Sequence, residues 1–245
     1  MSSIPVDVLR EILEHVDKND LATLCRVNKI CCACSQDVLY REIYRGYEHV
    51  VQTLAKSTDL ARRVRSFTIA CECPELAMAL RNMSSLRSLD LVDSDVSILD
   101  GCTFKLDSFE TTIPYSESLQ QFLYSQPSLT NLTIWRDCKP LSPFDERCLP
   151  NLTRVMARPS FLGIIIPGRP VREVSVLSPY ALDSTDSSFF TLSATPIQKL
   201  RIDYEMLYPK PVSLLVSIFP SLVHWVVNAY DLEWRQRVRL YLSIY

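Results

Sequence analysis

Glycine is scarce in this chain, four in 245 residues. Nucleotide-binding turns of a parallel α/β sheet need it where backbone approaches phosphate, so the scarcity argues against that class. The one look-alike, GIIIPGRP from Gly163, continues with Arg169 and Pro170. A phosphate loop needs Lys and then Ser or Thr there, and Pro170 has no N–H to donate. Histidine is scarcer still: His15, His49 and His224 are the full set. Few Ser–His or Cys–His pairs can be built from three, no G-x-S-x-G occurs, and no catalytic residue is assigned. The chain also lacks an excess of one charge. Residues 1–60 hold 7 basic and 9 acidic side chains and the remainder 19 of each, so nucleic acid is not expected as a partner. Long apolar runs are missing too. Asp7, Arg10, Glu11 and Glu14 interrupt the N-terminal stretch, and no segment approaches 18 uncharged apolar residues. These absences lead to the expectation of a soluble intracellular protein, cytoplasmic or nuclear, with no membrane partner. Cysteine is plentiful, but its nine copies are an odd count, and CCACS at 31–35 and CEC at 71–73 lack zinc-ligand spacing. Reduced thiols are expected, and neither metal nor cofactor.

What is present falls into two kinds of text. Residues 1–46 read as helical. The spacing predicts a first helix from Pro5, with Val8, Leu9, Ile12, Leu13 and Val16 on one stripe and a turn at Asp17–Asn19 behind it. A second helix is expected to carry Leu21, Leu24, Val27 and Asn28 with Asp20 as its N-cap. A third runs from about Cys32 to Tyr44 through Val38, Leu39 and Ile43. Tyr47–Lys56 predicts a linking helix.

From about residue 60 the pattern becomes apolar-x-x-apolar-x-apolar, starting at Val64, Leu86, Leu106, Leu129, Leu152, Val171, Ile197 and Leu222. The starts lie 19 to 26 residues apart, and Thr111 is the one slot that is not apolar. Such a period resembles the leucine-rich repeat, in which each unit gives a short strand and a returning helix or turn. Returning segments are expected at Pro74–Met83, Glu117–Tyr124, Ser188–Leu192 and Val212–Phe219. The resemblance departs at the position three places past the last strand apolar. Glu72, Ser94, Asp137, Pro179 and Glu205 stand where asparagine or cysteine is usual. The expected fold is therefore an α/β solenoid, with a short helical domain at 1–46, a linker helix at 47–59 and a repeat domain at 60–245 ending in a cap. For that cap, DLEWRQRVRLYLSIY fits a helix through Trp234, Val238, Tyr241 and Leu242 and a strand through Val238, Leu240, Leu242 and Ile244. A short helix is the expectation adopted.

The N-terminal words carry a second resemblance. Ile4-Pro5, Asp7, Leu9, Ile12-Leu13, Asp20-Leu21, Leu24, Cys25-Arg26-Val27-Asn28-Lys29 and Leu39-Tyr40 resemble an F-box of the variant common in fungal proteins. Ile-Pro replaces the usual Leu-Pro, and Cys31 stands where a tryptophan is frequent. The resemblance implies a helical hook that docks on a Skp-type adaptor and, through it, a cullin-RING ubiquitin ligase, the chain acting as non-catalytic substrate receptor. Adaptor contacts are implied at Ile4, Pro5, Leu9, Ile12, Leu13, Leu21, Leu24, Val27, Leu39 and Tyr40. Three short helices have too few apolar side chains to fill a core and leave none outside, which agrees with docking. The alternative is a repeat scaffold outside any ligase, whose N-terminal helices only cap the solenoid.

Alternate side chains of a strand face opposite ways, so the residues between the apolar slots of a leucine-rich strand are expected on the concave side. They pass from small and acidic (Ser66, Thr68, Ser88, Asp90, Glu110) through Trp135 and Met156 to basic (Lys199, Arg201). Trp135, Arg154, Met156, Arg158 and Arg201 are the candidate client-binding residues, aromatic side chains and arginine being the types that anchor interfaces. Trp135 could equally be covered by its own loop. A protein or peptide client suits such a graded surface better than a small molecule.

Overall fold

The computed structural model describes residues 4–70, 73–92, 94–136, 144–145, 147–177, 188–203, 219, 221–230 and 237–243. They form two compact units, residues 1–106 and 107–245.

The first unit opens with helices α1 (Val6–Leu13), α2 (Lys18–Leu24) and α3 (Lys29–Leu39). Leu13, Leu21 and Cys34 are their buried centre, with Leu9, Val16, Leu24, Val38 and Leu39 packed half-buried around it. Each such side chain removed from water contributes roughly 1.5–3 kcal/mol, so this is a small core. Four expected boundaries move. Asp17, not Asp20, sits at the cap of α2, which ends at Leu24 and leaves Val27 and Asn28 beyond it; α3 begins at Lys29, not about Cys32, and stops at Leu39 instead of running to Tyr44. The reason for the early stop lies in the next residues. Glu42–Ile43 forms a two-residue strand β1, which pairs in parallel with β2 (Ser66–Ile69), and β2 pairs with β3 (Ser88–Leu91). Arg45 then takes a left-handed φ of 57°. Gly46 follows, donating its N–H to Thr68 O at 2.8 Å, so close to β2 that an added Cβ would lie 3.0 Å from the Phe67 ring. Helix α4 (Glu48–Lys56) occupies the expected linking segment, and a single turn α5 (Thr58–Ala61) precedes β2. The return from β2 to β3 runs through α6 (Leu76–Asn82), and a 3-10 turn at Val96–Leu99 follows β3.

In the second unit six parallel strands stand in sequence order: β4 (Ser108–Thr111), β5 (Asn131–Ile134), β6 (Arg154–Ala157), β7 (Glu173–Val176), β8 (Lys199–Asp203) and β9 (His224–Tyr230). The returning segments include α7 (Glu117–Tyr124), α8 (Pro159–Ile165) and a 3-10 turn at Ser188–Leu192. Helix α8 was not anticipated, although Pro159 at its first turn is a start signal. Residues 212–218 of the fourth expected return lie outside the described residues. The C-terminal expectation is corrected: Arg237–Ser243 is strand β10, antiparallel to β9, not a helix. The alternation from Val238 to Leu242 satisfies a strand as well as a helix, and a strand there also pairs the backbone groups that the edge of β9 would otherwise leave open.

One backbone device recurs through both units. At seven steps a carbonyl just before one strand accepts two successive N–H groups from the start of the next. Arg41 O takes Arg65 N (2.8 Å) and Ser66 N (3.0 Å), and Arg65 O takes Arg87 N and Ser88 N. Asp107, Thr130, Thr153, Arg172 and Gln198 do the same further on. The apolar slots whose side chains are described are all buried, from Val64, Phe67 and Ile69 to Leu222 and Trp225. Thr111 is buried too, and its Oγ1 accepts Ile113 N–H at 2.9 Å, which satisfies the hydroxyl inside the stack. Of the five positions where the repeat's usual asparagine is missing, Ser94 alone is described, and its hydroxyl donates to Val92 O at 3.3 Å.

Seven described cysteines are free thiols, and burial pushes those of Cys102 and Cys148 up to about 11. For Cys148 the neighbouring Arg169 pulls the other way, and burial wins. The folded chain holds these protons where the unfolded chain, with thiols near 8.5, releases them. Stability is therefore expected to be unaffected below about pH 8.5 and to fall as pH rises from there to about 11. Iodoacetamide should label both thiols slowly at pH 7.5 and rapidly once urea unfolds the chain. Equal native and unfolded labelling rates would contradict their burial.

Candidate functional site

Two surfaces matter. The first lies on the N-terminal helices. Along α1 the apolar residues split into two stripes. Leu9, Leu13 and, past the helix end, Val16 turn inward, while Val8 and Ile12, spaced four apart, turn outward, with Ile4 exposed just ahead of the helix. Ile4 is 61% exposed, Ile12 49% and, after α2, Val27 62%. Of the residues singled out in the sequence, Pro5 is also exposed, Leu9, Leu24, Leu39 and Tyr40 are half-buried, and Leu13 and Leu21 lie in the helices' own centre. Val6, Val8 and Ile30 are exposed and were not among the candidates. The four-residue spacing of Ile4, Val8 and Ile12 was the signal that could have found Val8.

This face is held at a fixed attitude to the first strands. Asp37 on α3 accepts from Arg10 on α1 at 3.2 Å and pairs with Arg63, which also donates to Ala33 O at 3.0 Å. Arg41 pairs with Glu14 at 2.7 Å while its carbonyl receives β2. These ion pairs are partly exposed and individually worth little, but together with the Arg41 carbonyl they tie α1, α3 and β2 to one another. Asn28 caps α3, its Oδ1 accepting Cys31 N–H at 2.8 Å, a role its polar side chain just before an apolar run could have signalled.

The second surface is the outward face of the second unit's strands. In cross-strand register one row reads Ser108, Asn131, Arg154, Glu173, Lys199, His224, and the next Glu110, Thr133, Met156, Ser175, Arg201, Val226. Arg154 and Met156 share β6, and Arg201 lies two strands from Met156, with Ser175 between. Trp135 and Arg158 each follow their strand by one residue. Trp135 is 43% exposed, and its indole N–H donates to Glu110 Oε1 at 2.8 Å; residues 137–143 of the loop that follows lie outside the described residues. Glu173, not among the client-binding candidates, bridges two cations: Arg154 Nε at 2.8 Å and Lys199 Nζ at 2.7 Å. Arg158 is half-buried at the cap of α8 and Arg201 half-buried on β8. Among the described residues no group of three or more His, Cys, Asp and Glu could hold a metal ion, and no helix is long and apolar enough to cross a membrane.

Set beside known proteins, residues 1–42 match the F-box domain, and the match ends on the first residue of β1. An F-box domain therefore forms the N-terminal helices, and F-box domains bind Skp-type adaptors within cullin-RING ligases. Among solved structures, the leucine-rich repeat-containing protein LegL7 from Legionella pneumophila is similar at 14% identity, over 92% of this chain and 82% of that one, with a TM-score of 0.49. The repeat reading rests on the recurring register and buried slots of the strands themselves. No curated protein matches the chain.

Proposed function

We propose that the chain is the substrate-recognition subunit of an SCF-type (Skp-cullin-F-box) E3 ubiquitin ligase. Residues 1–46 act as the adaptor-binding hook, of the fungal-type variant their wording resembles, 47–59 as the linker helix and 60–245 as the repeat that receives a protein client. The chain itself performs no chemistry, and its place of action is the cytoplasm or nucleus. The observation that carries the reading is the coincidence of the F-box match with an outward apolar stripe at Ile4, Val8 and Ile12. An apolar stripe left in water on so small a helical core is stabilised by a second protein that covers it.

The alternative scaffold, in which the helices only cap the repeats, draws on one observation: Arg41 O and β1 complete the first rung of the strands. That capping is done by residues 41–43 and uses none of the outward stripe, so it does not account for Ile4, Val8 or Ile12. Co-expression with a Skp-type adaptor is the test. A complex of one copy of each is expected to survive size-exclusion chromatography in 0.5 M salt, because an apolar interface is not screened. Separate elution of the two proteins would favour the scaffold.

A further inference from the structure

The outward face of β6–β8 has a charge that the proposed function leaves unassigned. Among the described side chains its cations are Arg154, Lys199 and Arg201 and its anion is Glu173. Glu173 is already shared by Arg154 and Lys199, so one carboxylate is divided between two positive groups. On β4, two strands from β6, Glu110 is bonded to the Trp135 indole. The uncharged floor between the cations is Thr133, Met156 and Ser175, in register on three successive strands.

We propose that this face binds an extended acidic segment of the client, with glutamate or aspartate carboxylates paired to Arg201 and Lys199 and an apolar side chain laid on Met156 beside Trp135. The charge argument favours it. Three cations against one divided anion among the described side chains leave hydrogen-bond donors whose best match is a planar carboxylate, which arginine receives through two parallel N–H groups. The dimensions also agree. Strands stand about 4.8 Å apart, so the distance from β5 to β8 is about 14 Å, the length of some four or five extended residues. A methionine and a half-exposed tryptophan give such a segment apolar contact that a purely ionic ligand would not use.

This inference rests on the receptor reading, and the experiment separates the two. Immobilised synthetic nine-residue peptides, each with one leucine and one tyrosine and graded from four glutamates to four lysines, are probed with the full-length chain. Adaptor co-purification is measured on the same preparation. Capture is expected to rise with glutamate number and to fall at least tenfold between 50 and 500 mM salt. It should also fall at least tenfold in Lys199→Glu with Arg201→Glu, and about threefold in the milder Arg201→Gln. Capture that is flat with charge or favours lysine, or absence of capture on the glutamate peptides, overturns the proposal. A phosphoserine series retained where the glutamate series is not also overturns it, because the ligand is then a phosphorylated segment. Adaptor binding without glutamate capture removes this inference alone. Glutamate capture without adaptor binding removes the ligase reading and keeps the acidic-segment site.

Discussion

Replacing Val8 and Ile12 together by aspartate is expected to weaken binding to a Skp-type adaptor at least 100-fold while leaving the helices folded. Both side chains are about half exposed, and both lie on the outward stripe of α1. Completing the burial of each contributes about 1–1.5 kcal/mol, and setting two carboxylates against an apolar partner surface costs more. A total near 3 kcal/mol corresponds to about two decades in affinity. The fold should tolerate the change because neither residue belongs to the Leu13–Leu21–Cys34 centre, and an acid at position 8 sits near the positive end of the α1 dipole. Leu9 is the less informative target: it packs against that centre, so a charge there would unfold the helices and abolish binding for the wrong reason. Titration calorimetry with purified adaptor gives the affinity, and circular dichroism checks the helices. Undiminished affinity in a folded variant would place the adaptor elsewhere.

The distinction between Leu9 and Ile12 also marks where sequence reasoning stopped. Periodicity places both on one broad stripe, because a helix with apolar residues at i, i+1, i+4 and i+5 does not say which half its neighbours cover. Tertiary packing decides: α3 covers Leu9 and Leu13 and leaves Ile12 outside. The repeat was legible for the opposite reason. Its period ties each slot to one position in a strand, so Val64 through Trp225 could be assigned to the interior one unit at a time. Even Thr111 fits, since its hydroxyl finds an acceptor role two residues along. Where a segment satisfied two periods, as at Val238–Leu242, the pairing with β9 chose between them, and that partner is invisible to local pattern. The bridging role of Glu173 was hidden likewise, because Arg154, Glu173 and Lys199 are neighbours only once three strands are in register.

Arg169 is the strongest case of a residue whose meaning changed, and replacing it by methionine is expected to cost about 4 kcal/mol of stability in the unit that contains it. In the sequence it only disqualified a phosphate loop. In the fold it is fully buried, its guanidinium donating to four carbonyls: Asp145 O at 2.7 Å, Cys148 O at 2.8 Å, Pro167 O at 2.8 Å and Ile165 O at 3.0 Å. It lies 5.6 Å from the centre of the Phe144 ring, which packs in turn against Tyr115 and Phe161. Gly168, at a φ of 74°, turns the chain after Pro167 so that Arg169 can reach back beneath the end of α8. Methionine fills similar space but donates nothing, so the four carbonyls would lose their donor in the interior. Lysine keeps the charge and lacks the fork; about half the loss is expected for Arg169→Lys. All three tryptophans, Trp135, Trp225 and Trp234, belong to residues 107–245, so urea unfolding followed by their fluorescence reads the right unit. The methionine variant should unfold at clearly lower urea than lysine, and lysine lower than the native chain. Coincident curves for all three would mean that the carbonyls are satisfied without the arginine.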